Sequence, residues 1–121
     1  MSKAAKYIDI CIQPIPKKHL AAYGKTTKTI GQILIKHGAL SSRDYVGEDK
    51  NASSAKGPFG KAVKLKKNEA VVYAIAEFKS KKHREQVFAK MMKDPKMQEI
   101  SFMMDEDRMV LGGFELLVSV N

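Results

Sequence analysis

The sequence predicts an α+β fold, an antiparallel sheet carrying helices on one face in a ferredoxin-like plait, and three stretches predict it. Residues 7–13 alternate Ile8, Ile10 and Ile12 against Tyr7, Asp9, Cys11 and Gln13, the period of a strand with one apolar side. Leu20, Tyr23, Thr27, Ile30, Leu34 and His37 recur at steps of three and four, which traces one face of a helix. The run AVVYAIAEF at residues 70–78 is the most continuous apolar stretch, as expected of a central strand buried on both faces.

The remaining elements follow from punctuation. Pro14 and Pro16 end the first strand, and Pro16 suits the first turn of the next element, where a missing N–H costs nothing. Gly38 is the expected C-terminal cap of the first helix. Within that helix Gly24 and Gly31 are seven apart and nearly share a face, which marks either a close backbone approach, room for a ligand, or tolerated glycines. Residues 40–46 read as a second strand with a poor apolar pattern. Residues 47–58, GEDKNASSAKGP, show no periodicity and read as a mobile loop.

A hairpin is expected next, residues 60–65 pairing with residues 70–78 across Lys66 to Glu69. Ser80 suits the N-cap of a second helix whose buried stripe is Val87, Phe88, Met91 and Met92. Asp94-Pro95 stops that helix and caps a short one anchored by Met97 and Ile100, because proline disfavours helical geometry in the residue before it. Residues 105–108 form a turn, and residues 109–120 are the last strand, where Gly112-Gly113 marks a bulge or a tight backbone contact.

The bulk numbers fit one domain spanning residues 1–121: 44% hydrophobic and 29% charged residues support one core with little to spare. No apolar run approaches the ~18 residues of a spanning helix, and the N-terminal stretch lacks a signal peptide's apolar segment, so a cytoplasmic protein is expected. Cys11 is the only cysteine and the three histidines are scattered, so neither a disulfide nor a zinc-ligand spacing appears, and the sequence calls for no cofactor. The formal charge of +9 invites an RNA or other polyanion partner. Against it, the cations are nearly all Lys rather than the Arg suited to bidentate recognition. Residues 97–121 hold only Arg108 against Glu99, Asp105, Glu106, Asp107 and Glu115, and such lopsidedness suits self-association equally well.

Six segments together carry a resemblance: KYIDICIQPIP at residues 6–16, HGAL at 37–40, KAVKL at 61–65, EFKSKKHR at 77–84, KMMKDPKM at 90–97 and RMVLGGFE at 108–115. With these the chain closely resembles the YbaA-like family of bacterial domains of unknown function. It departs at Val46 and the serine-rich segment to Pro58, where the family usually carries an aromatic residue and an acidic, proline-containing turn. The resemblance implies a homodimeric α/β barrel, two plaits meeting through their bare sheet faces, near small monooxygenase-like and stress-responsive barrel proteins. It supplies no catalytic residue.

Strand phase supplies candidate site residues. If Ile8, Ile10 and Ile12 meet the helices, then Asp9 turns to the opposite face, and the same alternation sends Arg43, Tyr73, Glu77 and Glu115 there. Crowded carboxylates beside Arg43 would make either a polar pocket for a small ligand, with one carboxyl serving as acid or base, or an ion-pair network at a dimer seam. A second candidate pocket lies between the sheet and the first helix, where Tyr23 and His37 fall on the inner stripe. His37 fits an acid, base or metal-ligand role there, or the satisfaction of terminal carbonyls that histidines in a last helical turn more often provide. Cys11 reads as a small buried side chain.

Overall fold

The structure, a computed structural model, describes residues 5–100 and 105–121. Strand β1 (Tyr7–Pro16) runs through a short 3-10 turn into α1 (Leu20–Lys36), followed by β2 (Ser41–Val46), α2 (Lys50–Ser53), α3 (Pro58–Ala62), β3 (Glu69–Phe78), α4 (Lys81–Met92), α5 (Pro95–Gln98) and β4 (Val110–Glu115). The sheet is antiparallel, in the order β2-β3-β1-β4, with β2 and β4 as its edges among the described residues. The α+β class expected from the sequence is therefore present, with an open four-stranded antiparallel sheet compatible with a ferredoxin-like plait.

Local chemistry explains the boundaries. Gly38 follows α1 with a φ of 116°, a left-handed conformation that glycine adopts without strain. Ser80 caps α4 by accepting from the His83 N–H, and Asp94 caps α5 by accepting from the Lys96 N–H with Pro95 in the first turn. The core between sheet and helices is built on Ile33, Leu34, Ala76, Phe78, Val87 and Met91, with Met97 and Ile100 packed against it. Met92, expected in the buried stripe of α4, is instead 64% exposed, one step past the face that Val87 and Met91 define.

Two expectations fail between β2 and β3. Residues 47–58 contain α2, whose N-cap Asp49 accepts from the Ala52 N–H, and residues 58–62 form α3 rather than a hairpin strand. Proline at the start of α3 fits helix entry, and a β-carbon on Gly60 would stand 1.9 Å from the Ser54 carbonyl oxygen, so the two short helices pack closely enough to require glycine. Val63 and Ile15 are fully buried at this end of the sheet.

The last strand is also shorter than expected, ending at Glu115. The Leu116 N–H donates to the Lys6 carbonyl just beyond the paired segment, and residues 116–121 continue without strand geometry. Gly112 and Gly113 lie in unbroken register opposite Ile10 and Asp9, so they form a close contact and not a bulge. At Gly113 the space is taken by Tyr7, whose hydroxyl would lie 1.9 Å from an added β-carbon.

Candidate functional site

Register decides which side chains meet. Tyr7, Asp9, Cys11 and Gln13 of β1 stand opposite Phe78, Ala76, Ala74 and Val72 of β3, and Phe78 and Ala76 belong to the helix-side core. Paired residues share a face, so the polar set of β1 lies under the helices and Ile8, Ile10 and Ile12 occupy the open face. This inverts the phase expected from the sequence. On β2, Ser42 and Asp44 pair with Ala76 and Ala74 on the helix side, whereas Ser41, Arg43 and Tyr45 pair with Glu77, Ile75 and Tyr73 on the open side.

The predicted site residues therefore divide. Arg43, Tyr73 and Glu77 do share the open face. Glu77 is fully buried, accepts from Ser41 Oγ and has Arg43 Nη2 at 3.5 Å, which is an ion-pair network. Tyr73 packs edge-on to Tyr45, with ring centroids 6.5 Å apart. Asp9 is on the other side of the sheet, gripped by Arg84 of α4 through Nε at 3.2 Å and Nη2 at 3.1 Å, while Arg84 also lies over the Phe88 ring. Glu115 pairs with Tyr7 at the sheet edge and is exposed. The single-faced cluster of Asp9, Glu77, Glu115 and Arg43 does not exist.

His37 does not line the cavities beside Tyr23. Its Nε2 lies 2.7 Å from Asp94 Oδ2, and Lys36 Nζ reaches the same oxygen at 3.2 Å. The His37 contact, then the Lys96 N–H and Lys36, hold the Asp94 carboxyl down at about 2. The group is a structural latch between α1 and α5. Arg108 is likewise committed, to both carboxylate oxygens of Glu69 at 2.7 and 2.8 Å and to Asp105 at 2.8 Å, and its hydrogen bonds first, then its charge, lower both carboxyls from their ordinary range.

Tyr23 does reach a site, and the residues it meets are the ones the sequence reading passed over. Its hydroxyl donates to Asp44 Oδ2 at 2.8 Å, Thr27 Oγ1 donates to Oδ1 at 2.9 Å, and Gln13 Nε2 donates to the Tyr23 oxygen at 3.3 Å. Because the phenol proton is committed to Asp44, the Gln13 amide must turn its N–H toward the phenol oxygen. Two spaces meet at Thr27, Ser42 and Asp44. One is an inner pocket of ≈ 170 Å³ under α1 and α4, whose sheet floor includes Cys11, Ala74 and Ala76. The other is an outer groove of ≈ 610 Å³ between α1 and β2 that Gly24 and Gly31 line. A β-carbon on Gly24 would meet nothing within 4 Å, so this glycine opens the groove.

The pocket's electrostatics keep protons in place. Burial first, then the Asp44 charge, raises the Tyr23 phenol well above its ordinary value, and burial together with Asp44 and Asp9 pushes the Cys11 thiol up to about 11. At neutral pH both stay protonated. The available signal for Asp44 was the stripe itself: Tyr23 and Thr27, four apart on an inward helix face, require an acceptor from the facing strand.

A family profile described as "Protein of unknown function (DUF1428)" matches residues 6–109. The chain is 32% identical over 115 residues to "Uncharacterized protein YbaA" of Escherichia coli strain K12, covering 93% of this chain and 97% of that protein. It shows the same identity and coverage to the protein of that name in Shigella flexneri.

Proposed function

The chain belongs to the DUF1428 family, and from its geometry we propose that it is a cytoplasmic homodimer binding a small organic molecule in the pocket between α1, α4 and the sheet. The pocket floor carries the proposal. Interiors pack to crystal density, yet Cys11, Ala74 and Ala76 place small side chains where Ile30, Leu34 and Phe88 stand around them, leaving space that a larger residue would fill. With Tyr23 and Cys11 protonated at neutral pH, the site is better suited to holding a ligand than to nucleophilic chemistry.

The dimer reading rests on the open face. Ile8, Ile10 and Ile12 join Ile75 and Phe114 there, with Phe114 53% exposed and Leu117 in the tail 94% exposed, an apolar set of the kind that favours association. Two such faces packed together would close the open sheets into a barrel. A lone cysteine suits a reducing compartment. Among the described residues no helix is long and apolar enough to cross a membrane.

The test is a methyl-resolved NMR titration with a mixture of small amines, alcohols and carboxylates. Shifts at Ala74 and Ala76 in the wild type, with the Ala76 shift lost in Ala74→Leu while the variant stays folded, support the pocket. No shift at either alanine with any compound removes it. Sedimentation of the wild type and Phe114→Lys tests the dimer, which a monomeric wild type at micromolar concentration would exclude.

One observation favours a second reading. Lys17 and Lys18 after β1, and Lys66 and Lys67 before β3, line one groove of ≈ 540 Å³, a focus for a polyanion such as RNA. Binding to a single-stranded RNA that falls steeply with salt and is lost on reversing these four charges would support it.

A further inference from the structure

Asp44 is set apart from the other shielded carboxylates of the described residues by its lack of a cation. Among the described residues six carboxylates are at least partly buried, namely Asp9, Asp44, Glu69, Glu77, Asp94 and Asp105. Asp9 has Arg84, Glu69 and Asp105 share Arg108, Glu77 has Arg43, and Asp94 has Lys36 and His37. Asp44 has only hydroxyl donors, Tyr23 and Thr27. In a chain of net charge +9, where lysine is plentiful, a half-buried anion left without a cation at the junction of two cavities is an unmatched charge. Removing a carboxylate from water is costly unless positive charge or strong donors replace the water.

The geometry leaves room for that charge. A carboxylate has roughly four acceptor positions, and Tyr23 and Thr27 each take one on a different oxygen, so each oxygen retains another. The hydroxyls also fix the carboxylate's orientation, which lowers the entropic cost of recognising a partner. On the rim of the outer groove Lys28 is exposed and makes no ion pair with Asp44. Below Asp44 the inner pocket is walled by Ile30, Leu34, Ala74, Ala76 and Phe88, and Asp9, the other carboxylate there, is already neutralised by Arg84.

We infer that the ligand of this pocket is a small organic cation, an ammonium group seated on Asp44 with an apolar body directed toward Ala74 and Ala76. The inference rests on the pocket reading above and adds the ligand's charge. A carboxylate or phosphate ligand would meet like charge at Asp44. A neutral alcohol would donate one hydrogen bond to the carboxylate but bring no positive charge to offset it.

The experiment titrates the protein with n-butylamine, 1-butanol and butyrate, matched in size, following the Ala74 and Ala76 methyl resonances, in the wild type and in Asp44→Asn. Butylammonium should bind the wild type about tenfold or more tightly than butanol, with butyrate weakest, as the pairing of opposite charges away from bulk water predicts. Asp44→Asn should weaken butylammonium about tenfold and leave butanol within about twofold. Butanol or butyrate binding as well as butylammonium, or amine binding indifferent to Asp44→Asn, would overturn the inference while the pocket survives. Failure of all three probes to shift either alanine would overturn both readings. The wild-type ranking needs no variant and stands if Asp44→Asn does not fold.

Discussion

His37 Nε2 lies 2.7 Å from Asp94 Oδ2, so the last turn of α1 is tied to the residue that caps α5. Folded Asp94 titrates at about 2 against an ordinary 3.8, its charged form favoured first by His37 and then by the Lys96 N–H. A depressed carboxyl stabilises fully above the unfolded value and loses that contribution as pH falls through the folded one. The urea midpoint of the wild type should therefore drop between pH 4 and pH 2 more steeply than that of Asp94→Asn, which retains a capping side chain. Parallel profiles would refute the latch.

Tyr23→Phe removes the phenol donor to Asp44 and leaves the ring. The loss should be about 1–2 kcal/mol in urea denaturation, as for a hydrogen bond to a charged group that is partly shielded from water. In the wild type the Tyr23 pKa is raised, so stability should hold below pH 10 and decline as pH rises beyond it, with that decline reduced in the variant. A variant as stable as the wild type, with the same alkaline profile, would show that the contact contributes nothing.

Cys11 should be a slow nucleophile. Raising a thiol from 9.0 to about 11 cuts its thiolate fraction at pH 8 by about a hundredfold, so alkylation by iodoacetamide should be slower than that of free cysteine by at least this factor. Asp44→Asn, which removes one of the charges opposing the thiolate, should accelerate it. Rapid alkylation of folded wild type at pH 8 would contradict the burial and charge assigned to the pocket floor.

Two glycines should respond oppositely to alanine. Gly24→Ala places a methyl in open space within α1 and should stabilise by about 0.5–1 kcal/mol. Gly113→Ala forces its methyl into Tyr7 and should destabilise by about 1–3 kcal/mol, partly recovered by Tyr7→Leu. Thermal unfolding of the four proteins decides both, and equal melting temperatures would mean that neither environment is as described.

Between β2 and β3 the sequence carried helix signals that polarity obscured. Asp49 three residues before Ala52, and Gly57-Pro58 before Phe59, are both start signals, yet segments of four and five residues are too short to display a periodic face. Their helical form depends on packing at Gly60, a contact between segments that no single window contains. The tail after Glu115 shows the converse. Its residues have strand propensity, but the paired register ends at Tyr7 and Glu115, with the Leu116 N–H to the Lys6 carbonyl as one further bond.

What the sequence alone determined was local: the caps at Ser80 and Asp94, the turn glycine at Gly38, the alternation of β1, and the inward stripe holding Tyr23 and Thr27. These depend on backbone sterics and on spacing along one element, which residue order encodes directly. What only the tertiary structure decided was which side of the sheet the helices cover. Alternation divides β1 into an isoleucine set and a set with Asp9, Cys11 and Gln13, and it carries no label for inside. The helices lie over the polar set because Arg84, Tyr23 and Thr27 arrive there to satisfy Asp9, Gln13 and Asp44, while Ile8, Ile10 and Ile12 remain on the open face.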